Sequence, residues 1–179
     1  YLMDPHTATC IKAYNDLREK PLKTVIYSTA EWTKFSPTVL NALKQFIQSE
    51  SDSRESGGIL IGRTDIETKA KIIESLTSPM EGDRQTRTSF FRSKSHQKAL
   101  IKAWNDSEKI YNFLGLWHTH PEDIPTPSPT DLKDINTVLN GITNLNHPIL
   151  YLIIGRVKTG IWISNKNTDI NFLGHIELK

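Results

Sequence analysis

Two histidines separated by one residue, His118-Thr119-His120, stand at the end of an apolar run that starts at Asn112. Imidazole nitrogens are good zinc ligands, and two of them can converge on one ion where a strand loses its regular pleat. Taken alone the pair is a weak signal, because a pair of partly exposed loop histidines has the same sequence. The chemistry that this spacing would allow is metal binding.

A serine and an acid follow the histidines at short, fixed offsets. Ser128 comes eight residues after His120, and Asp131 comes three residues later. Ser-Pro-Thr-Asp is also a helix start, with Ser128 as the N-cap and Asp131 reaching back as in a capping box. The segment 36–39 has the sequence Ser-Pro-Thr-Val, so capping does not demand the acid. Both interpretations hold together, because residues at i and i+3 share one face of the first turn and can point at a common ion.

The combination of these residues is a stronger signal than any one of them. With 6 His, 14 Ser and 10 Asp in 179 residues, this pattern is an accident on the order of one in a thousand. Cys10 is the only cysteine, so no cysteine zinc cluster and no internal disulfide can form. Three protein ligands with an open fourth position are typical of catalytic zinc. We therefore predict a catalytic zinc centre formed by His118, His120 and Asp131, with water at the open position.

A zinc hydrolase also needs a base that takes a proton from water and delivers it. Glu55 is the candidate, because it stands just before the run Gly57–Gly62, where glycines permit close backbone approach. The alternative is a solvated loop acid, which is the default interpretation for Glu55 as it is for Glu50 and Asp52.

The elements that must position these residues follow from hydrophobic periodicity and turn residues. A short helix or extension is expected over 1–20. We predict helices over 36–47, 94–106 and 129–140, and strands over 22–27, 57–62, 69–76, 89–92, 112–117, 149–154, 159–164 and 170–176. Segment 49–56 is predicted to be a loop, 77–88 an exposed and mobile loop, and the proline-rich 121–129 irregular. The sum is an α/β fold of the α+β type, with one mixed sheet flanked by helices in a single domain.

Several side chains outside the motif have milder interpretations. In the helix 94–106 we expect Leu100, Ile101 and Trp104 to face inward. Trp117 is expected to pack in the core, because alternation points it away from His118. The lone histidines are expected to be structural or solvated; they are His96, His147 and His175.

Composition narrows the class of partner. The chain is 37% hydrophobic and 23% charged, and no apolar run approaches the ~20 residues of a membrane span. The opening YLMDPH lacks the basic-then-apolar layout of a secretion signal. The net charge is +2, and its basic clusters are local rather than a continuous stripe. We expect a cytoplasmic protein that binds neither membrane nor nucleic acid. Three arginines border the predicted mobile segment and could bind an extended tail; they are Arg84, Arg87 and Arg92. The alternative is that they are ordinary solvated surface charges.

The motif residues together resemble a known signature. Glu55 before Ser-Gly-Gly-Ile-Leu-Ile-Gly, then His118-x-His120-Pro121, then Ser128 and Asp131, look like the JAMM pattern of the JAB/MPN metalloproteases, E…HxHPx(6)SxxD. The resemblance spans residues 22–165 and is closest to prokaryotic members, which often accompany ubiquitin-like conjugation genes, including those of CBASS-type antiphage operons. It implies a curved sheet of cytidine-deaminase-like architecture, with a JAB/MPN-like domain over 21–179 after an N-terminal extension over 1–20.

The resemblance also implies roles. Zn²⁺, one per chain, would be bound by His118, His120 and Asp131, with Glu55 as general base and Ser128 steadying the carbonyl oxygen. The implied activity is isopeptide or peptide hydrolysis after the C-terminal tail of a ubiquitin-like or conjugated protein, captured by strand addition.

Two further expectations accompany these roles. Arg84 and Arg87 are the candidate substrate-binding residues. The alternative from a different class is a non-catalytic MPN-type scaffold that recognises a tail, which has no need for an open zinc site.

Overall fold

The computed structural model of the chain describes residues 33–143, 145, 147–166 and 168–177. The predicted extension over 1–20 and the predicted strand over 22–27 lie outside the described residues. The division of the chain at residue 20 therefore stays a prediction.

The described residues contain three helices and nine strands. The helices are α1 Pro37–Lys44, α2 Ser95–Asp106 and α3 Pro129–Gly141. The strands are β1 Thr33–Phe35, β2 Gly57–Thr64, β3 Lys71–Leu76, β4 Arg84–Gln85, β5 Phe90–Phe91, β6 Asn112–Thr119, β7 Ile149–Ile154, β8 Thr159–Ser164 and β9 Asn171–Ile176. Every helix and strand predicted within the described residues is present, with ends that differ by a few residues.

Seven of the strands form one curled, mixed sheet in the order β1-β3-β2-β6-β7-β8-β9, and β4 pairs with β5 in a separate hairpin. β6 lies at the centre, antiparallel to β2 and parallel to β7. Parallel neighbours need a crossover connection, and α3 is part of the one between β6 and β7. This crossover brings the start of α3 back to the end of β6. The mixed α/β class predicted from the sequence is confirmed.

The central strands are buried on both faces, as a sheet covered by helices requires. On one face, α1 packs Val39 and Leu43 into a cluster that includes Trp117. On the other, α3 packs Ile135 and Leu139 into a second cluster. Trp117 is fully buried and donates its indole N–H to the carbonyl of Thr77 at 3.0 Å, so its predicted packing role is confirmed. None of the described helices is long and apolar enough to cross a membrane.

The predicted inward face of α2 is wrong for two of its three residues. Ile101 and Trp104 are 51% and 36% exposed, and only Leu100 of the three packs toward the core. The buried residue of α2 is His96, and His96, Leu100 and Ala103 share one face at i, i+4 and i+7. A polar residue therefore sets the inward direction of this helix, which apolar periodicity could not indicate.

The predicted loop 77–88 is buried at Thr77 and exposed or half-exposed beyond it, and it is bonded to the rest of the fold at several points. Its mobility stays a prediction. Thr77 is buried, the side chain of Asp83 is 1% exposed, and β4 lies within the segment. Asp83 accepts hydrogen bonds from Met80, Ser93 and His96. The local composition of Pro, Gly and charged residues did not indicate these contacts.

Candidate metal centre

The two histidines of the motif lie at the end of the central strand. His118 is paired with Gly57 of β2 and with Ile153 of β7. His120 stands one residue beyond β6, and its backbone N–H donates to the carbonyl of Ile154 at 2.9 Å. Residues at i and i+2 share one face of a strand. The two Nε2 atoms therefore face each other at 2.9 Å, and both side chains are buried.

Asp131 reaches the same point from the first turn of α3. Its carboxylate oxygens lie 3.1 Å from Nε2 of His118 and 3.2 Å from Nε2 of His120. The same carboxylate accepts a hydrogen bond from the backbone of Ser128 at 2.7 Å, while the Ser128 hydroxyl accepts one from the backbone of Asp131 at 3.2 Å. The predicted capping box is therefore present, and its acid also faces the histidines.

These three side chains fit a metal ion. Their ligand atoms all lie within 4.8 Å of one another, and two imidazole nitrogens with one carboxylate are a donor set that zinc favours. Two Nε2 atoms 2.9 Å apart cannot both direct a proton at each other, whereas both can direct a lone pair at one cation. The group could hold a metal ion, and its assignment as the zinc ligands stays a prediction.

The electrostatics of His118 and Asp131 suit metal binding, whereas the pKa of His120 is raised, because its hydrogen bond to Asp131 and the nearby acids outweigh the effect of its burial. Burial lowers the pKa of His118, which favours the neutral imidazole that binds metals. Burial alone would raise the pKa of Asp131, but the hydrogen bonds from His118 and His120 lower it by more. The pKa of Asp131 consequently lies far below its ordinary value, and this carboxylate stays ionised.

Glu55 lies beside this group. The residue is 4% exposed, and its Oε1 is 3.9 Å from Nε2 of His120, so the alternative of a solvated loop acid is wrong. Burial raises the pKa of Glu55 to about 7, against a smaller opposing effect of His120. A carboxylate with a pKa near neutrality can both accept and return a proton, which is the property of a general base.

The backbone around Glu55 is bound on two sides. Its N–H donates to the carbonyl of Thr86 at 2.7 Å, and its carbonyl accepts from Nε2 of Gln85 at 2.9 Å. The next residue, Ser56, exchanges hydrogen bonds of 3.0 and 2.9 Å with Thr119, which lies between the two histidines. The approach to β2 is thus attached both to the β4–β5 hairpin and to the metal-centre strand.

A small cavity of ≈ 30 Å³ adjoins the group. That volume holds about one water molecule. Its lining joins the motif residues Glu55, His118, Ser128 and Asp131 to residues that sequence reasoning did not select. The arrangement places a buried acid, a hydroxyl and a candidate metal group around a space suited to water.

The lining also includes Tyr151, which was not predicted to belong to the site, and Arg92, which was considered only as a contact for an extended tail. Tyr151 lies on β7 with its ring 5.3 Å from the ring of His118, and burial raises its pKa far above the ordinary value. A single phenol in the otherwise aliphatic strand Ile149–Ile154 was the available signal. Arg92 pairs with Asp134, and the two side chains are 11% and 38% exposed, so Arg92 is neither a fully solvated charge nor a freely exposed contact for a tail.

Arg84 and Arg87 lie near the site on the β4–β5 hairpin and are exposed. The guanidinium of Arg84 stacks over the ring of Phe91 at 4.4 Å. Arg87 donates to the carbonyls of Glu50 and Ser51, so part of its bonding capacity is already used within the chain. Their predicted contact with substrate stays a prediction.

Sequence comparison finds relatives in several organisms. Three similar proteins are each called a CD-NTase/cGAS isopeptidase. The relative from Pseudomonas aeruginosa is 33% identical over 68% of this chain and 76% of its own length. The Escherichia coli relative is 35% identical over 72% and 78%, and the Vibrio cholerae relative is 31% identical over 74% and 80%.

A solved structure supports the fold. Protein DSY2949 from Desulfitobacterium hafniense superposes with a TM-score of 0.56 at 19% identity, covering 79% of this chain and 89% of that one. Residues 41–171 match the family model described as prokaryotic homologs of the JAB domain, which is more than half of the chain. The match includes every residue of the candidate centre, from Glu55 to Asp131. The chain therefore belongs to the prokaryotic JAB domain family.

Proposed function

We propose that this chain is a zinc-dependent isopeptidase that releases a conjugated protein by hydrolysing the amide bond after its C-terminal tail. The observation that carries the proposal is the convergence of His118, His120 and Asp131 within 4.8 Å, beside the buried acid Glu55. The relatives' name, CD-NTase/cGAS isopeptidase, supports a CD-NTase as the conjugated protein. The resemblance to members of CBASS-type operons supports antiphage defence as the setting.

His118, His120 and Asp131 would hold the zinc ion. Bound there, zinc supplies a Lewis acid and makes water acidic enough to lose a proton near neutral pH. Three protein ligands leave a position for water or substrate, and this open position separates a catalytic centre from a purely structural one.

Glu55 would move the proton. Its carboxylate accepts a proton as water attacks the scissile carbonyl, and it then delivers that proton to the amine that leaves. The products are a free carboxyl terminus on the carrier and a free lysine or α-amino group. A buried carboxyl whose pKa lies at about 7 can alternate between the two forms in one turnover.

Ser128 would stabilise the developing negative charge on the carbonyl oxygen. Its hydroxyl oxygen accepts from the backbone N–H of Asp131 at 3.2 Å. That bond does not use the hydroxyl proton, which would turn from the Asp131 carboxylate to the substrate oxygen, and Ser128 lines the cavity beside Glu55. Hydrogen-bond donors aimed at such an oxygen stabilise the transition state more than the ground state.

An extended tail is the substrate form that this site suits. The cavity beside Glu55 is small, with Phe90 of the β4–β5 hairpin in its lining, so it suits an extended chain better than a folded surface. Arg84 and Arg87 on that hairpin would contact an acidic or carbonyl-rich tail from the exposed side. An extended chain gains main-chain hydrogen bonds by pairing with a strand edge.

A cleavage assay tests the proposal. The zinc-loaded chain is incubated with a CD-NTase joined through its C-terminal carboxyl to a lysine of a second protein, and with the same CD-NTase carrying a short C-terminal peptide. We expect release of the carrier with its native end, loss of activity with a chelator and recovery with zinc. Mass spectrometry of the released carrier identifies the bond that is cut.

Glu55→Gln, with Glu50→Gln as the matched control on an exposed loop acid, tests the base. Glu55→Gln should keep one zinc per chain and lose about 10²–10⁴-fold in turnover, whereas Glu50→Gln should match the wild type. A chain that binds no zinc, or that cuts equally well in chelator, contradicts the proposed function.

A further inference from the structure

We infer that Asp83 and His96 are positioning residues for the proposed reaction, because with Thr77 they fix the β4–β5 hairpin that holds the backbone of Glu55 beside the metal centre. We call the Thr77–His96–Asp83 group the His96 anchor. The inference rests on the proposed role of Glu55 and extends it to residues outside the metal-centre motif.

The hydrogen bonds of the His96 anchor fit one assignment of its protons. The Thr77 hydroxyl oxygen accepts from the backbone N–H of Ile59 at 2.9 Å, so its own proton is available for Nδ1 of His96 at 2.6 Å. His96 is then protonated on Nε2 and donates to the carboxylate of Asp83 at 2.9 Å. Each polar atom of the group has a partner, as a buried polar network requires.

The order Thr–His–Asp resembles a catalytic triad with threonine as the nucleophile, but the burial of these side chains excludes that role. Thr77 and His96 are 7% and 3% exposed, and the side chain of Asp83 is 1% exposed. The Thr77 oxygen already accepts a hydrogen bond from the backbone of β2. A nucleophile needs open space next to it for a substrate carbonyl, so the group is better suited to holding structure.

The His96 anchor fixes a segment of chain whose two ends are hydrogen-bonded to each other. Asp83 accepts from the backbone of Met80 and from the backbone of Ser93, both at 2.7 Å. The second bond joins the two ends of the segment 83–93, and His96 attaches that junction to α2 and, through Thr77, to β2. The β4–β5 hairpin lies inside this segment.

The hairpin in turn holds Glu55. Gln85 donates to the Glu55 carbonyl at 2.9 Å, and the Thr86 carbonyl accepts from the Glu55 N–H at 2.7 Å. Phe90 adds a steric contact, because a Cβ placed on Gly57 would lie 2.4 Å from its ring. Glu55 precedes the first residue of β2, so the hairpin rather than the sheet supplies both of these backbone bonds.

A path of direct contacts therefore runs from His96 through Asp83 and the hairpin to the general base. Misplacement of a reacting group by about 1 Å can cost on the order of 10² in rate, even when the change is remote from the chemistry. The metal ligands come from β6, from the residue that directly follows it and from α3, so loosening the hairpin should leave metal binding intact.

Asp83→Asn tests the inference, and Asp106→Asn is the matched control, since Asp106 forms an exposed pair with Lys102. The substrate is the CD-NTase with a short C-terminal peptide. We expect Asp83→Asn to lower kcat by about 10–100-fold, with KM within about twofold and one zinc per chain. Asp106→Asn should match the wild type. An unchanged kcat, or a loss expressed only in KM, overturns the inference.

Combination with Glu55→Gln separates positioning of the base from general damage. If the anchor acts through Glu55, then Asp83→Asn lowers the residual rate of Glu55→Gln by less than about twofold. If Asp83→Asn and Glu55→Gln instead lower kcat by independent factors that multiply in the double variant, the inference is overturned. If Asp83→Asn does not unfold cooperatively, Gln85→Ala replaces it, because that change removes the bond to the Glu55 carbonyl without altering the buried anchor. It should lower kcat by about threefold, again only when Glu55 is present.

A measurement that does not depend on catalysis tests the His96 anchor separately from the proposed isopeptidase function. Hydrogen exchange of the Glu55 amide should be at least about tenfold faster in Asp83→Asn, or in its replacement, than in the wild type, and unchanged in Asp106→Asn. If the wild type cuts no conjugate, the proposed function fails while exchange still decides the coupling between Asp83 and Glu55. Equal exchange in all proteins overturns the anchor.

Discussion

The helices α1 and α3 begin with the same three residues, Ser-Pro-Thr, yet only α3 contributes to the metal centre. Ser36 accepts from the backbone of Val39 at 3.3 Å, and Ser128 accepts from the backbone of Asp131 at 3.2 Å. Proline stands at the first helical position in both. The fourth residue differs: Val39 is 2% exposed in the core, and Asp131 faces the two histidines.

The comparison separates the needs of the helix from those of the site. A serine cap and a proline are enough to start both helices, so the third helical position is free for another purpose. In α1 that position serves packing. In α3 the acid serves capping and the metal group together, and the positive end of the helix dipole also favours a carboxylate there.

Exchanging the two residues should give the largest effect. Asp131→Val should abolish stoichiometric zinc and lower turnover by on the order of 10³-fold or more, since metal assistance supplies several kcal/mol. The metal-free stability should fall by more than about 1 kcal/mol, the value of a cap, because His118 and His120 also lose their hydrogen bonds to Asp131.

The reciprocal change Val39→Asp should keep the metal ligands but destabilise the fold by roughly 3 kcal/mol or more, because an unpaired carboxylate would be buried. Zinc analysis and urea unfolding measure the two outcomes. An Asp131→Val protein that retains zinc would contradict the ligand assignment.

The two acids of the site should respond oppositely to pH in the metal-free protein. Burial raises the pKa of Glu55 from 4.5 to about 7. The folded state then binds more protons than the unfolded state, so this contribution to stability is present below pH 4.5 and is lost as pH rises to about 7. Asp131, whose pKa is lowered, contributes stability that is lost only as pH falls.

Relative to Glu55→Gln, the metal-free wild type should lose on the order of 3 kcal/mol of unfolding free energy between pH 4.5 and pH 7. Urea unfolding in chelator across that window measures the difference between the two proteins. Parallel stability curves would show that Glu55 is not buried as described.

The smallest effects should come from the two caps. Ser36→Ala and Ser128→Ala should each cost about 1 kcal/mol in unfolding free energy, because each removes one N-cap hydrogen bond. Only Ser128→Ala should also lower kcat, by up to about 10²-fold, since it alone removes a donor next to the reacting carbonyl. Ser36→Ala is thus the stability control for Ser128→Ala. Equal activity of the two variants would remove Ser128 from the chemistry.

Local signals predicted most of the fold and the metal group. Proline after serine marked both helix starts, glycines and β-branched runs marked the strands, and the pair His118 and His120 marked the end of β6. These features depend on neighbours a few residues away, which sequence periodicity reports directly. The inward face of α2 was misassigned because His96 is buried by Thr77 and Asp83, which are distant along the chain.

Residue identity and spacing determined the chemistry that is available: nitrogen and oxygen ligands without thiolates, an acid before a glycine strand, and a helix start that carries a second acid. Folding determined which of these groups meet. The burial of Glu55, the position of Tyr151 beside His118 and the attachment of 83–93 to β2 all join residues from separate strands and loops. Such contacts arise from sheet order and crossover, and the desolvation that raises the pKa of Glu55 exists only once those elements pack together.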